Sequence, residues 1–359
     1  MRVALVLYGD LNFTSGGFLY DRRLVAHLAA RGMEVEVVSL PWRSYLLGLA
    51  DNFSPALRRR LQALEADLIL EDELAHPSLA FGNRRLRPSK TRVAVVHHLR
   101  ASEPRAPWLN RLYAQVERRY LTSVDGFIVN SRATLETVRT LGPCLQPAVV
   151  APPGIQSFPR LPGPAEIAAR VKEKGPRRLV FLGNIIPRKG LHTLIAALTT
   201  LDRADWRLTV VGSLTLDPAY VRRVKQRIQA AGLSPRVEFT GALPAAGVAE
   251  ILARSHLLAV PSLYEGFGIC YLEGMAFGLP AIGGSAGGAP EIITPGRDGF
   301  LVAPGDVPAL AACLERLLTD DRLLLEMSLA ARERFLAHPT WEESLEGACR
   351  FLLSVAEKT

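Results

Sequence analysis

Short, almost uninterrupted apolar runs alternate with helical patterns along this chain, and the alternation starts over once. "RVALVLY" (2–8), a helical stretch from Phe18 to Arg31, "VEVVSL", "ADLILE", "RVAVVHH" and "GFIVNS" form the first series, and "RLVFLG", "RLTVVG", "RVEFTG", "HLLAVPS" and "PAIGG" the second. Strands apolar throughout are covered on both faces, and strands separated by helices run parallel. The pattern therefore predicts an α/β chain of two Rossmann-like, doubly wound parallel-sheet domains. Between the series lies "APPGIQSFPRLPGP" (151–164), and 151–176 reads as the hinge. Residues 1–155 are assigned to the first domain, 156–338 to the second, and 339–359 to a C-terminal helix, from about Trp341 to Ala356, crossing back to the first. Two such sheets facing each other would leave a cleft, and 359 residues suffice for two cores.

Hydrophobic residues make up 48% and charged residues 22%, which excludes a disordered chain. No apolar run reaches the roughly 20 residues of a membrane-spanning helix, and the N-terminus reads as a strand without a cleavage site, which points to the cytoplasm. Cys144, Cys270, Cys313 and Cys349 form no C-x-x-C, so they read as buried small apolar residues and not as a zinc or disulfide framework. The net charge of +8 is concentrated in residues 1–150, densest between Arg84 and Arg119, where "RRLRPSK" and "ERRY" lie. Such a span either attracts an anionic surface or is a solvated arginine face; no nucleic-acid-binding pattern accompanies it. "EDE" at 71–73 reads as a solvated turn.

Open parallel sheets bind ligands outside the carboxyl ends of their strands. The first strand is not followed by G-x-G-x-x-G, which removes most support for a dehydrogenase. Its loop is "GDLNFTSGG" instead, ending in Gly16-Gly17 at a helix whose apolar face uses Leu24, Val25, Leu28 and Ala29, with Gly32 as its stop. The glycine pair either lets a diphosphate approach the helix start or makes a tight turn. In "YEGFGICYLEGMAFGLP" (264–280) a helix is expected from near Gly268 to before Gly278, with backbone N–H groups of Phe267, Gly268, Ile269 and Cys270 at its mouth. Glu265 precedes that mouth and Glu273 lies about 7.5 Å inside it, leaning back toward it. Carboxylates repel phosphate but pair with vicinal hydroxyls, so two acids flanking a phosphate-binding helix start suit a nucleotide sugar. Taken singly, each acid also has an ordinary structural reading.

"PSLYEGFGICYLEGMAFGLPAIGG" resembles the signature of family 4 of the retaining glycosyltransferases, which have the GT-B fold. The resemblance extends over the Gly-Gly loop at 15–17, His97, "APPGI", "LGNIIPRKG" (182–190), "VEFTGALP" (237–244) and "GGAPEIITPGRDGFLVAPGD" (287–306). It implies that Glu265 binds donor-sugar hydroxyls and Glu273 the ribose, that Phe267, Gly268 and Ile269 bind sugar and phosphates through their backbone, and that the Gly241–Leu243 loop holds the base. It also implies that His97 is the histidine orienting the sugar, ahead of its neighbour His98. His27, His76, His192, His256 and His338 carry no pattern. One departure stands out. Where the family usually has Gly-Arg before its Lys-Gly, this chain has Gly183-Asn184, so Lys189 is left with Arg188 as a substitute second cation, or acts alone, since neighbouring side chains diverge.

In such enzymes the departing nucleotide diphosphate can take the acceptor proton, and the protein supplies position and charge stabilisation. On this reading Lys189, Arg188, the Gly16-Gly17 amides and the helix start replace a metal ion, no cofactor is needed, and there is no D-x-D motif. The acceptor is expected in the N-terminal domain. "WRSYLLGLADNFSPALRRRLQAL" (42–64) and the basic span fit either a lipid or lipid-linked glycan at an anionic membrane or an amphipathic segment packed on its own domain. The alternatives are a soluble sugar or sugar-phosphate acceptor, and a silent binding protein.

Overall fold

The computed structural model describes residues 1–13, 15–86, 90–142, 145–201 and 205–357. It contains two six-stranded, all-parallel sheets. The first comprises β1 (Arg2–Tyr8), β2 (Glu34–Leu40), β3 (Leu68–Asp72), β4 (Thr91–Val96), β5 (Gly126–Val129) and β6 (Ala148–Val150), in the order β2-β1-β3-β4-β5-β6. The second comprises β7 (Arg177–Leu182), β8 (Trp206–Val211), β9 (Val237–Gly241), β10 (Leu257–Val260), β11 (Ala281–Gly284) and β12 (Gly299–Val302), in the order β12-β11-β10-β7-β8-β9. Chain direction across the sheet reverses between β1 and β3 in one case and between β7 and β10 in the other. At such switch points the loops after neighbouring strands diverge to opposite faces and leave a crevice.

The expected fold class of two doubly wound sheets is what the chain forms. β6 and β12 are absent from the strands expected from sequence. Both are edge strands, of three and four residues, too short for periodicity to register.

The chain divides into two compact units, Met1–Gly154 with Pro339–Thr359, and Ile155–His338. In the first, β1 sends Val3, Leu5 and Leu7 to one face and Ala4, Val6 and Tyr8 to the other, each into its own core. The Val3 face is closed by Phe18, Leu24 and Leu28 of the helix Gly16–Ala30 and by Trp341, Leu345, Cys349 and Leu352 of the helix Trp341–Ala356. That last helix starts with a capping box: Glu343 N–H donates to Thr340 Oγ1 and Thr340 N–H to Glu343 Oε2. Ala29 is exposed and Asp21 is buried, so the buried stripe of Gly16–Ala30 runs Phe18, Asp21, Leu24, Leu28.

Other expectations need correction. The interval 151–176, read as the hinge, contains the helix Pro164–Val171, with Pro at its first turn, where no N–H partner is needed. Cys270 and Cys349 are buried and Cys313 is half-buried; Cys144 lies outside the described residues. The basic span is not one solvated face: Arg92 on the central β4 is buried, 3.7 Å from Glu71 Oε1, while 87–89 lie outside the described residues.

Candidate functional site

In the second unit the groups singled out from sequence meet at the switch between β7 and β10. β7 ends at Leu182, and Gly183-Asn184 lead into a single 3-10 turn, Pro187–Lys189. That turn points Arg188 and Lys189 the same way. Lys189 Nζ donates to Glu265 Oε1 at 2.5 Å, and Arg188 stands 3.6 Å from Glu265 Oε2 while donating to the Tyr264 carbonyl at 2.8 Å. The expected divergence of neighbouring side chains does not occur, because a 3-10 turn followed by left-handed Gly190 reorients the backbone between them.

Glu265 is held from several sides. Ser262 Oγ donates to Oε1 at 2.6 Å, its own N–H donates to the Ala286 carbonyl, and its carbonyl accepts from Gly288 N–H. Burial alone would raise its pKa; Lys189 and Arg188 outweigh burial and hold it down at about 2. The "GGAPE" stretch therefore acts as a brace for the acid.

The helix after this loop spans Ile269–Ala276, close to the expected limits. Its N-cap Gly268 has φ +108°, and a Cβ there would lie 2.5 Å from Tyr271 Cδ2, so only glycine fits. No side chain caps this helix start. Phe267 is buried, Ile269 is half-buried, and the Cys270 thiol is pushed up to about 12 by burial, so it is a neutral apolar group beside the helix mouth. Half-buried Glu273 has no hydrogen-bond or ion-pair partner among the described residues; burial raises it to about 7, with Lys189 pulling the other way. One acid is thus a paired carboxylate and the other titrates near neutrality.

Asn184 is half-buried at the end of β7, and its side chain has no partner among the described residues. Gly241 ends β9, with φ +76°, and Leu243 packs half-buried against the core. β9 lies two strands from β7, about 10 Å at ordinary strand spacing, a reach comparable to a nucleoside diphosphate.

In the first unit the switch lies between β1 and β3. Gly16 and Gly17 open the first turn of Gly16–Ala30, whose Ser15 Oγ accepts from Phe18 N–H. A Cβ on Gly17 would come within 3.0 Å of His97 Cδ2, so this glycine is needed for close packing on the histidine, a reason the sequence did not suggest. His97 is buried: Nε2 lies 3.1 Å from Asp21 Oδ1, its N–H donates to Glu73 Oε2 at 2.9 Å, and its ring meets Tyr20 edge-on. Burial would lower its pKa, but Asp21 and Glu73 more than compensate and raise it. His98 instead pairs with Glu103 at 2.8 Å. His76 and His256 are buried and hydrogen-bonded to backbone, which fits structural roles.

"EDE" is not a solvated turn. Glu71, Asp72 and Glu73 are all buried, because β3 is central and its end is covered. Burial, then Asp21, raises the Asp72 carboxyl well above its usual range. Asp21, Asp72 and His97 also present ligand atoms within 4.8 Å of one another, a spacing that a metal ion could use. Sequence reasoning missed Asp21 and Asp72. The available signals were an acid on the apolar stripe at 21, 24 and 28, and acids continuing a fully apolar strand.

A description of glycosyl transferases group 1 matches residues 164–334, and one of Glycosyltransferase Family 4 matches residues 15–157. The GDP-mannose-dependent alpha-(1-6)-phosphatidylinositol monomannoside mannosyltransferase of Mycolicibacterium smegmatis is 33% identical over 53% of this chain and 52% of its own length. The glycogen synthase of Mycobacterium tuberculosis is 30% identical over 75% of this chain and 64% of its own. The chain thus spans about half to two thirds of these relatives. Among solved structures, sucrose-phosphate synthase from Thermosynechococcus elongatus superposes with a TM-score of 0.84 over the full length of both chains at 23% identity. Anabaena Alr3699/HepE in complex with UDP-glucose does so with 0.78, over 99% of this chain and 100% of its own, at 21% identity. With both halves matched and the GT-B fold present, the chain belongs to the family 4 glycosyltransferases, the glycosyl transferases of group 1.

Proposed function

We propose that this protein is a retaining hexosyltransferase that moves a sugar from a nucleotide-diphosphate donor, a UDP- or GDP-sugar, to an acceptor hydroxyl. The observation that carries the reading is the convergence of Lys189, Arg188, Glu265 and Glu273 at the uncapped start of Ile269–Ala276. Two cations against one paired carboxylate, with Glu273 only partly ionised near neutrality, leave a net positive charge beside a helix start that no side chain caps, which suits a diphosphate. Glu265, kept ionised, accepts from sugar hydroxyls; Glu273 accepts from the ribose. Phe267, Gly268, Ile269 and Cys270 offer backbone groups to the phosphates, and the Gly241–Leu243 loop offers a seat for the base.

As the bond to the leaving phosphate breaks, negative charge grows on its oxygens, and Lys189, assisted by Arg188 in place of the arginine absent at Asn184, offsets it. The departing phosphate takes the acceptor proton, and His97 orients the sugar. Side-chain cations and helix starts supply the positive charge, so no metal or cofactor is required on this reading.

The preferred acceptor is a membrane lipid or lipid-linked glycan, reached from the cytoplasmic face. Trp42, Leu46, Leu47 and Phe53 are exposed beside exposed Arg58, Arg59 and Arg60, while Leu57, Leu61 and Leu64 pack inward, so the segment 42–64 both anchors itself and presents an apolar, cationic surface. No described helix is long and apolar enough to cross a membrane. The phosphatidylinositol mannoside relative supports this acceptor class; the glycogen synthase and an alpha-maltose-1-phosphate synthase relative support a soluble one.

Calorimetric titration with UDP and GDP, paired with a mass-spectrometric screen of their sugars, tests the donor site. Binding of one nucleotide and its tenfold to hundredfold weakening in Glu273→Ala are expected, about 1.5–3 kcal/mol of charge-assisted hydrogen bonding. Failure to bind either nucleotide and to hydrolyse any donor would leave a silent binding protein. Co-sedimentation with anionic vesicles, lost in a Trp42→Ser/Leu47→Ser variant, separates the two acceptor classes.

A further inference from the structure

A cavity of about 110 Å³ opens at the carboxyl ends of β1 to β4 in the first unit. Tyr8, Trp42, Glu73 and Arg100, each just beyond or at the end of one of these strands, contribute to its wall, and Tyr45 and Glu117 complete the groups that matter here. The Arg100 guanidinium lies 5.4 Å from the ring centres of both Tyr45 and Tyr113. Among the described residues it has no hydrogen-bond or ion-pair partner.

Its root is fixed on both sides. Arg100 N–H donates to Glu117 Oε1 at 2.6 Å, and its carbonyl accepts from Arg105 at 3.2 Å. Tyr45 is held in turn by its hydroxyl, 3.1 Å from His76 Nε2. A half-buried guanidinium held between aromatic faces, with its donors unused, is arranged for a planar or tetrahedral oxyanion.

The other charges of the cavity are committed. Arg43 pairs with Asp51 at 2.9 Å, and Glu103 pairs with His98 and Arg105. Glu73 receives the His97 N–H, and Glu117 receives two backbone N–H groups. Burial raises both acids, Glu117 to about 7, which reduces their repulsion of an anion and keeps them able to bond to hydroxyls. At the rim the Trp42 ring is 57% exposed and is positioned by Phe13 and Tyr8, with centroids 5.8 Å and 6.1 Å away. An exposed indole beside carboxyls is a surface on which a polyol ring stacks.

We propose that this cavity binds a phosphorylated polyol, its phosphate on Arg100 and its ring against Trp42, and that this is the acceptor of the transfer. The second half of the proposal rests on the glycosyltransferase reading; the first does not. Either a phospholipid headgroup or a free sugar phosphate carries this chemistry.

Calorimetric titration with glycerophosphoinositol and with glucose 6-phosphate, against inositol and glucose as unphosphorylated controls, tests it. At least one phosphorylated probe is expected to bind at least tenfold more tightly than its control. That preference should disappear in Arg100→Gln, fall partway in Arg100→Lys, and persist in Arg111→Gln, an exposed arginine of the helix Pro107–Leu121. Binding of only the headgroup or only the sugar phosphate identifies the source. Equal binding with and without phosphate, no binding by any probe, or an Arg100→Lys protein that melts like wild type yet keeps full preference overturns the proposal. Because the nucleotide is titrated separately, loss of the donor reading leaves the Arg100 result standing, and the reverse.

Discussion

The two sheet switch points of this molecule carry charge in opposite ways. At β7/β10 two cations and one ionised acid sit beside a helix start, and a second acid titrates near 7. At β1/β3 four acids, Asp21, Glu71, Asp72 and Glu73, are buried; Asp21 and Glu73 bond to His97, and burial raises the carboxyls of Glu71, Asp72 and Glu73. A switch point in a parallel sheet thus fixes where chemistry can occur and leaves its sign to the side chains. On the proposed reading the cation-rich crevice suits a phosphate leaving group; the acid-rich one holds His97 between Asp21 and Glu73.

Breaking the first pattern should cost most. Lys189→Met removes the cation closest to Glu265, and kcat is expected to drop about 100- to 1000-fold, with Arg188→Ala costing about tenfold. Steady-state kinetics against the donor measures both, and equal losses would show that Arg188 is a full second cation.

The depressed pKa of Glu265 makes the same region sensitive to acid. A group whose folded pKa lies below its unfolded value stabilises the fold above the unfolded pKa and ceases to as pH falls through the folded one. Between about pH 4.5 and 2 the wild type should therefore lose on the order of 3 kcal/mol from this group. Chemical denaturation across that window should show the loss, and Glu265→Gln should lack it; a parallel pH slope in the variant would mean the ion pair is not formed in solution.

The acid-rich crevice responds differently. With Asp21→Asn, only Glu73 is left to oppose the effect of burial on His97, so its titration should move to lower pH and kcat should fall about tenfold while KM for the donor changes little. Imidazole NMR of the variant reads the first effect, and an unmoved titration would remove Asp21 as the group that sets the His97 charge.

The smallest effect sharpens the contrast. On the proposed reading, in which Lys189 and Arg188 supply the positive charge at β7/β10, activity should stay within about twofold after EDTA treatment. A loss that magnesium restores would place a metal ion in the Asp21, Asp72 and His97 trio.

What could be read ahead of the structure follows contiguity. The β7/β10 site is written in two short stretches, 182–190 and 264–273, and local rules of helix start, glycine entrance and helical rise place Glu265, Gly268 and Glu273 with little error. The central strands were legible too, because full burial makes long apolar runs; β6 and β12, short and peripheral, were not. The β1/β3 site draws Asp21 from a helix, Asp72 and Glu73 from a strand end, and His97 and Arg100 from beyond another strand. No local pattern marks these as neighbours.

By itself, then, the sequence determined two doubly wound sheets, the punctuation between elements and the glycine-flanked two-glutamate motif, since these depend on periodicity, backbone conformation and spacing over a few residues. Tertiary structure decided which charges survive: that Arg188 and Lys189 converge on one carboxylate, that "EDE" is buried, that Gly17 yields to the His97 ring, and that Arg100 stands between two tyrosines with its donors unused. The physical reason is that protonation, pairing and desolvation depend on distances of a few ångströms between groups far apart in the chain, and only packing sets those distances.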